Sequence, residues 1–239
     1  MNDSHTDDVE LQRTASFYDA AAASYDADMQ RTPALAALRD AFRKRVVHGL
    51  VPGNTVLDFG CGTGADASWY AQQGFRVIAY DLSSGMVEAM KRRYAPQLAR
   101  GEIILVAGDV TKLSEVLEQC DQLHAIAANF AVLNHVRAPA ALFELFAKRT
   151  SPGARVDALL LNPFFRPDVR RLWWWRGLFG APSLGAIRMN GAVTTYRHFR
   201  RAFAKSAAPG FVVSEWTRAS QLTAGVDDNF IFAELRKRG

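Results

Sequence analysis

The sequence predicts an α/β protein in which a central, mostly parallel sheet lies between two layers of helices. From Asn54 onward, apolar runs of strand length alternate with helical stretches, as is typical of a parallel sheet that is covered on both faces. A glycine-rich loop at 60–64 joins the first of these runs to a helix, and polar residues follow several later runs. We therefore expect a three-layer sandwich with a ligand site at the carboxyl ends of its strands.

The strands are predicted from the apolar runs and from the turn residues that flank them. The first part of the sheet is predicted at Thr55–Phe59, Arg76–Tyr80, Ile103–Ala107, Leu123–Ala127 and Arg155–Leu161. Two further runs, Phe211–Trp216 and Phe230–Leu235, lie near the end of the chain.

Helices are predicted before the sheet, at Val9–Met29 and Pro33–His48, where proline opens the second helix and Gly49 follows it. The helices between and after the strands are predicted at Ala65–Gln73, Ser84–Tyr94, Leu113–Gln119, Pro139–Thr150 (followed by a Pro152-Gly153 turn) and Tyr196–Ser206. We expect one domain with a helical cap (1–50), a binding core (54–161), an insertion (162–195) and a segment that completes the sheet (196–239).

Composition favours an ordinary globular protein, with 49% hydrophobic and 22% charged residues and a net charge of +5. Part of the basic excess lies at 39–45, which we interpret as a solvated helix face, and part at 166–201, where a functional role stays open. Cys61 and Cys120 are too few for a disulfide framework and lack zinc-ligand spacing, so we expect no metal site. The polar amino terminus and the absence of a long apolar run predict a soluble, cytoplasmic protein.

The segment Val56-Leu57-Asp58-Phe59-Gly60-Cys61-Gly62-Thr63-Gly64 runs from a buried strand through glycines into a helix. Glycines let the backbone approach a ligand closely, but such a loop also fits a dinucleotide fingerprint. No Gly-Lys-Ser/Thr follows, which excludes a P-loop. A carboxylate at Asp58 would oppose a pyrophosphate and would favour a cationic sulfonium nucleoside, so we predict S-adenosylmethionine as the ligand.

Polar residues recur at the ends of the next strands. Asp81 ends the second strand, where it can accept hydrogen bonds from ribose hydroxyls, and Leu82 and Met86 can enclose a purine. Asp109, between Gly108 and Val110, can accept from the adenine amine, and Asn129-Phe130 lies near the methionine part of the ligand. Each polar residue alone fits a turn or a cap, and Met86 alone fits a core position, but their recurrence favours a nucleoside site.

These motifs resemble those of the class I S-adenosylmethionine-dependent methyltransferases, over about residues 15–165. Residues 56–64 match the family's first motif, Asp81-Leu82-Ser83-Ser84-Gly85-Met86 the second, Gly108-Asp109-Val110 the third and Asn129–Val136 the fourth, as found in members that act on small molecules. The resemblance implies a seven-stranded Rossmann-like sheet with Phe230–Leu235 antiparallel beside Phe211–Trp216. It also implies that S-adenosylhomocysteine is the product.

The resemblance further implies binding roles for particular residues. Gly60, Gly62 and Gly64 would wrap the amino-acid end of the donor, Asp81 would hold its ribose, and Asp109 its adenine amine. Tyr18 or Tyr25, in a segment that resembles the family's amino-terminal helix, would reach the donor carboxylate. Members that methylate nucleobases carry Asn/Asp-Pro-Pro-Tyr/Phe after the fourth strand, and Asn129-Phe130-Ala131 lacks it, so base methylation is not favoured. Asn162-Pro163 is interpreted as a turn.

Methyl transfer from a sulfonium is an in-line displacement, and its main requirement is alignment of donor and acceptor. His135, just past the fourth strand, is the candidate general base for an oxygen or nitrogen acceptor, although a loop histidine without a role is the competing interpretation.

The aromatic and arginine-rich insertion is the candidate acceptor lid, with Phe164, Trp174 and, after it, Tyr196 as binding residues. A structural cap and a weak membrane contact are the alternatives for this segment.

Other functions stay open at this stage. They are a nicotinamide oxidoreductase, a binding module without catalysis, and an RNA methyltransferase, although no basic groove with stacking rings favours a nucleic-acid partner. The expected partner is a small-molecule acceptor, and the sequence leaves the oligomeric state open.

Overall fold

A computed structural model describes residues 3–180, 186–190 and 193–239 of the chain. Its strands are β1 (Thr55–Phe59), β2 (Arg76–Asp81), β3 (Ile103–Ala107), β4 (Leu123–Ala128), β5 (Thr150–Leu161), β6 (Ala186–Asn190), β7 (Val193–Arg197), β8 (Phe211–Arg218) and β9 (Phe230–Lys237). β6 and β7 form a separate hairpin, and the other strands form one sheet in the order β3-β2-β1-β4-β5-β9-β8.

The large sheet is parallel from β3 to β5, and β9 is antiparallel to both of its neighbours, β5 and β8. This arrangement confirms the predicted fold class, including the antiparallel insertion of the last strand. The chain leaves β1 for β2 on one side and later returns to β4 on the other. Such a reversal of strand order opens a crevice at the carboxyl ends of β1 and β4.

Helices cover both faces of this sheet and also precede it. They are α1 (Asp3–Ala21), α2 (Tyr25–Gln30), α3 (Pro33–Val47), α4 (Ala65–Gln72), α5 (Ser84–Arg93), α6 (Ala95–Ala99), α7 (Val110–Gln119), α8 (Ala140–Arg149), α9 (Arg166–Val169), α10 (Leu172–Gly180), α11 (Arg200–Ala207) and α12 (Ala219–Leu222). No helix within the described residues has both the length and the hydrophobicity needed to cross a membrane.

Two apolar clusters form the core, one on each face of the sheet. One contains residues of α7, α8 and α11, and the other contains residues of α3, α4 and α5. β1 contributes Leu57 to the first cluster and Val56 to the second. This strand is buried on both faces of the sheet, which explains its apolar residues Val56, Leu57 and Phe59. Asp58 is the charged residue within it.

The predicted single helix at Val9–Met29 is wrong, because the chain turns between α1 and α2. Ser24 ends the first helix locally, since both its backbone N–H and its hydroxyl donate to the carbonyl of Ala21. Thr63 in the glycine loop donates to Asp26 of α2 over 2.6 Å, which holds the second helix against the sheet edge. A local turn at Ser24 therefore ends α1, and a tertiary contact fixes the position of α2.

Two predictions after β4 are also wrong. Residues 193–197 form strand β7, because Val193-Thr194-Thr195-Tyr196 is β-branched and aromatic, and the predicted helix begins only at Arg200. The Pro152-Gly153 pair lies inside β5, where Gly153 has φ +77° and the register against β4 shifts, as at a β-bulge. Asn162 does form the predicted turn, since its side chain accepts from the N–H of Phe164.

Candidate active site

A cavity that is partly open to solvent lies at the carboxyl ends of β1, β2 and β4, beneath α1 and α2. It is lined by apolar side chains and a few polar groups, as is typical of small-molecule sites. The predicted binding and catalytic residues that line it are Tyr18, Tyr25, Gly60, Cys61, Gly62, Asp81, Leu82, Met86, Asn129, Phe130 and His135.

The glycine turn forms the wall after β1. The N–H groups of Gly60 and Cys61 donate to the carbonyl of Tyr80 at 2.8 and 2.9 Å, which joins this turn to the end of β2. Gly60 has φ +77°, and a Cβ atom there would lie 2.5 Å from the side chain of Val132. Only glycine therefore allows the turn after β1 to meet the turn after β4 this closely.

Asp81 faces the cavity from the end of β2. Its two carboxylate oxygens accept from the N–H groups of Gly62 and Ser83 at 2.7 and 2.8 Å. Burial raises the pKa of this carboxyl group, and the two backbone donors oppose the rise. Ser83 also accepts from the N–H of Met86 as the N-cap of α5, which places Leu82 and Met86 on the cavity wall.

Asp58 does not line the cavity, contrary to the charge argument made from the sequence. It points into the protein with 1% exposure, and burial, together with nearby Asp66, raises its pKa well above the usual range. The carboxylates that border the cavity are instead Asp81 and Asp66. Asp66 lies in the first turn of α4, directly after the glycine turn. This position is the one feature of the sequence that could have predicted its place at the cavity.

Asp66 joins two elements at the cavity wall. It accepts from Nε of Arg43 at 2.5 Å and from the side-chain amide of Asn129 at 2.9 Å. Asn129 also accepts from the N–H of Phe130, which begins a turn in which Phe130 and Ala131 have positive φ angles of 45° and 68°. Positive φ at two successive non-glycine residues is strained, and such strain is characteristic of functional sites.

Arg39 is a cavity residue that sequence analysis did not predict. Its guanidinium lies 5.0 Å from the ring centre of Phe130, and its Nε lies 3.5 Å from Asp66 without a hydrogen bond to any described residue. The interpretation of residues 39–45 as a solvated face is therefore wrong for Arg39 and Arg43. Both arginines turn inward because α3 packs on the sheet next to a buried carboxylate.

His135 and Tyr18 meet on the cavity wall. The Tyr18 hydroxyl lies 3.0 Å from His135 Nε2, and His135 Nδ1 lies 3.3 Å from the carbonyl oxygen of Thr194. Because a carbonyl only accepts, Nδ1 carries the proton and Nε2 accepts from Tyr18 in the neutral ring. Burial lowers the pKa of His135, which favours this neutral form.

Helix α1 spans the cavity from the start of α5 to strand β7. Asp19, near its carboxyl end, accepts from the Ser83 hydroxyl and the Gly85 N–H at 2.6 and 2.7 Å. Glu10, near its amino end, accepts from the hydroxyl of Tyr196 in β7. Between these anchors, the side chains facing the cavity follow helical spacing and are Leu11, Thr14, Ala15 and Tyr18.

Other predicted site residues lie outside the cavity lining. Asp109 is fully exposed and caps α7, and neither Gly108 nor Val110 borders the cavity, so an adenine contact there stays a prediction. Gly64 is the N-cap of α4 and packs against Met90.

The three predicted acceptor contacts from and after the insertion also lie elsewhere. Phe164 is 60% exposed, and Trp174 is buried and donates to the Pro163 carbonyl. Tyr196 is held by Glu10.

Comparison with known proteins agrees with this architecture. A family model described as a methyltransferase domain matches residues 56–153. A malonyl-[acyl-carrier protein] O-methyltransferase from Serratia marcescens is 35% identical over 207 residues, which are 82% of this chain and 71% of that protein.

Two further comparisons extend this similarity. A demethylmenaquinone methyltransferase from Renibacterium salmoninarum is 37% identical over 120 residues, 50% of this chain, and the match spans only 46% of that relative's length. Among solved structures, the 1,6-didemethyltoxoflavin-N1-methyltransferase of Burkholderia thailandensis has a TM-score of 0.61 and 20% identity, covering 96% of this chain and 88% of that one. Together with the seven-stranded sheet and its antiparallel β9, these similarities show that the chain belongs to the class I S-adenosylmethionine-dependent methyltransferases.

Proposed function

We propose that this protein transfers a methyl group from S-adenosylmethionine to an oxygen or nitrogen atom of a small, uncharged acceptor, with His135 as the general base. One observation carries the proposal. A single cavity reaches from Asp81 and the glycine turn, along the sheet edge, to the His135–Tyr18 pair after β4. Donor and base would therefore share one cavity.

The residues at the donor end fit S-adenosylmethionine. Arg39 offers a guanidinium Nε that is buried without a hydrogen-bond acceptor, and a carboxylate of the donor would supply one. The glycine turn leaves room for a ligand beside its backbone, since a Cβ on Gly62 would have only Tyr25 within 4 Å, at 3.8 Å. We propose that Asp81 accepts from the ribose hydroxyls, because each carboxylate oxygen has a second lone pair beyond its backbone bond.

The charges at this end suit a cationic donor. Asp81 borders the cavity, and its carboxylate would stabilise a positive sulfonium nearby, whereas Asp66 is already paired with Arg43. When bound, S-adenosylmethionine supplies an electrophilic methyl group on a positively charged sulfur. The task of the protein is then to hold the acceptor in line with that group and to exclude water.

Among the described residues that line the acceptor end, none carries a formal charge at neutral pH, since burial favours the neutral form of His135. Leu11, Thr14 and Ala15 of α1 lie on the β7 side of Tyr18, because Glu10 at that end of the helix contacts β7. Val136 lines the cavity next to His135. A wall of this kind favours an acceptor without a fixed charge, whose hydroxyl or amine carries the one proton to be removed.

We propose that Nε2 of His135 takes this proton and that Tyr18 orients the imidazole before the acceptor binds. The hydrogen bond from Nδ1 to the Thr194 carbonyl fixes the tautomer whose Nε2 carries the lone pair, and the hydroxyl or amine of the acceptor would replace the Tyr18 hydroxyl as the donor to it. Because the pKa of His135 is lowered by burial, the base stays unprotonated at neutral pH.

The acceptors named for similar proteins differ, and they include malonyl-[acyl-carrier protein] and 1,6-didemethyltoxoflavin. The uncharged acceptor wall favours the small molecules among them.

Calorimetry with S-adenosylhomocysteine tests the donor end. Asp81→Ala should weaken binding about 10–100-fold, which corresponds to about 1–3 kcal/mol for unpaired polar groups. Asp121→Ala, which removes an exposed carboxylate at the opposite end of the strands, should leave affinity unchanged. Equal affinity for Asp81→Ala and the parent protein would contradict the ribose assignment.

A methyl-transfer screen over small neutral alcohols, phenols and amines tests the chemistry. With the acceptor it identifies, His135→Ala should lower kcat by about 10²–10⁴-fold. In the parent protein the rate should fall as pH falls through the lowered pKa of His135, below about 6.5. His48→Ala, at an exposed histidine, is the control. Loss of donor binding in His135→Ala, or an unchanged acidic limb, would reject the base assignment.

A further inference from the structure

Helix α10 exposes an apolar stripe. Leu172, Trp175 and Phe179 lie at positions i, i+3 and i+7 and are 67%, 44% and 78% exposed. The rings of Trp175 and Phe179 stack at a centroid distance of 6.1 Å, so they form one continuous surface. A helix normally turns its apolar side toward the core, but this one carries large apolar side chains on its solvent side.

The exposure of these apolar side chains does not result from loose packing of α10. The opposite side is anchored, because Trp174 is buried and its indole N–H donates to the carbonyl of Pro163. The Trp174 ring also contacts the rings of Phe164 and Phe199. The helix is therefore held in one orientation, with Trp175 and Phe179 turned outward.

The exposed charged side chains of residues 164–179 all have one sign. Arg170, Arg171 and Arg176 are exposed beside it. The only acidic residue between positions 164 and 179 is Asp168, which is buried and paired with the equally buried Arg197. Outward-facing rings with exposed guanidinium groups beside them suit a negatively charged surface that also admits apolar side chains.

The patch also lies at a suitable edge of the molecule. It belongs to the segment that begins directly after Leu161, at the carboxyl end of β5. The parallel strands β1, β2 and β4 end at the same edge, where the cavity lies. A surface docked there would therefore lie on the cavity side of the sheet.

We propose that α10 and its flanking arginines dock the protein reversibly on an anionic lipid surface. Leu172, Trp175 and Phe179 enter the level of the lipid headgroups, and Arg170, Arg171 and Arg176 contact lipid phosphates. This inference goes beyond the proposed methyl transfer and does not depend on the acceptor. Aromatic rings reach the interface between water and acyl chains favourably, and each nearby cation adds to the attraction.

Flotation of the full chain with phosphatidylcholine vesicles that contain or lack phosphatidylglycerol tests the proposal. The protein should float with the anionic vesicles at about 50 mM salt and dissociate at about 500 mM, where charges are screened. Trp175→Ala/Phe179→Ala should weaken binding at least about tenfold. Val212→Ala, at an exposed apolar position of β8, should not weaken it.

A charge reversal separates the electrostatic contribution. Arg171→Glu should weaken vesicle binding about tenfold or more, whereas Arg92→Glu, an equal change at an exposed position of α5, should have little effect. Affinity for S-adenosylhomocysteine should match the parent protein in every variant, which shows that the fold is intact.

Several outcomes would overturn the proposal. They are no flotation at low salt, equal binding by Arg171→Glu and Arg92→Glu, and a dimer in light scattering that Trp175→Ala/Phe179→Ala dissociates. Docking of an acidic carrier protein on this patch in the absence of vesicle binding would also overturn it.

Discussion

At the scale of single residues, Gly60 shows how the glycine turn depends on two separate properties of glycine. Its φ angle of +77° is costly for a residue with a side chain, and a Cβ atom would lie 2.5 Å from Val132. Gly153 has the same φ of +77° but no atom within 4 Å of its missing Cβ. Comparison of Gly60 with Gly153 therefore separates the cost of a strained backbone from the cost of a steric clash with a neighbouring side chain.

We expect Gly153→Ala to cost about 1 kcal/mol in the free energy of unfolding, since only backbone strain is added. Gly60→Ala should cost more and should also abolish binding of S-adenosylhomocysteine, because the turn must move away from Val132. Val132→Ala in the Gly60→Ala background should recover part of the stability. Urea denaturation and calorimetry measure both effects. Equal losses for the two single variants would contradict the close-approach argument.

Sequence motifs with a fixed place in the chain identified residues that line the cavity. Residues that reach the cavity from other parts of the chain were missed. Asp81 ends a strand that follows the glycine loop, and both features are readable in sequence. Arg39 reaches the cavity from α3, which precedes the sheet in the chain. Nothing near Arg39 in the sequence distinguishes it from Lys44, which is exposed. Burial by a distant partner, Asp66, decides the difference.

At the scale of elements, α1 is the part that covers the cavity, and its position depends on contacts that link distant parts of the chain. A Cβ on Gly85 would lie 2.8 Å from the Cα of Asp19, so the helix meets the start of α5 almost without a gap. The hydrogen bond from the Ser83 hydroxyl lowers the pKa of Asp19 most, and the bond from the Gly85 N–H lowers it further. This tether is therefore present at neutral pH and is lost as pH falls through that lowered pKa.

We expect Asp19→Ala to loosen α1 locally without unfolding the protein, because Asp19 is largely exposed and its partners belong to one helix start. Amides of α1 should exchange with deuterium faster, and S-adenosylhomocysteine should dissociate faster. Asp40→Ala, which removes an exposed partner of Lys44 on α3, is the matched control. An unchanged exchange rate in α1, or one that Asp40→Ala raises equally, would show that Asp19 does not hold the helix.

At the scale of the whole molecule, buried charge in the sheet should make stability depend on pH. Asp157 in β5 is completely buried, and burial raises its pKa to about 7 although the bonded Arg155 opposes the rise. Glu234 raises this pKa further, and Arg45 lowers it. In the unfolded chain the same group has a pKa of about 3.9. The folded state therefore binds more protons between about pH 4 and pH 7.

The contribution of Asp157 to the free energy of unfolding is therefore greatest near pH 4 and decreases as pH rises through about 7. Asp157→Asn should flatten the decrease in the free energy of unfolding between about pH 4 and pH 7. Part of the slope should remain, because the pKa of Asp58 is also raised well above its usual range. Urea titrations at several pH values measure the slope. An identical slope in Asp157→Asn would contradict the raised pKa.

The places along the chain of the seven strands of the large sheet, the glycine turn and the acid at the end of β2 were determined by the sequence alone. Each depends on local spacing: apolar runs, turn residues and a motif within about ten residues. Only the tertiary structure decided that Asp66 and Arg39 border the cavity, that Trp174 is buried while Trp175 is exposed, and that α2 is held against the glycine turn. These features depend on contacts between residues far apart in the chain, and local patterns carry no information about which distant group will be buried against them.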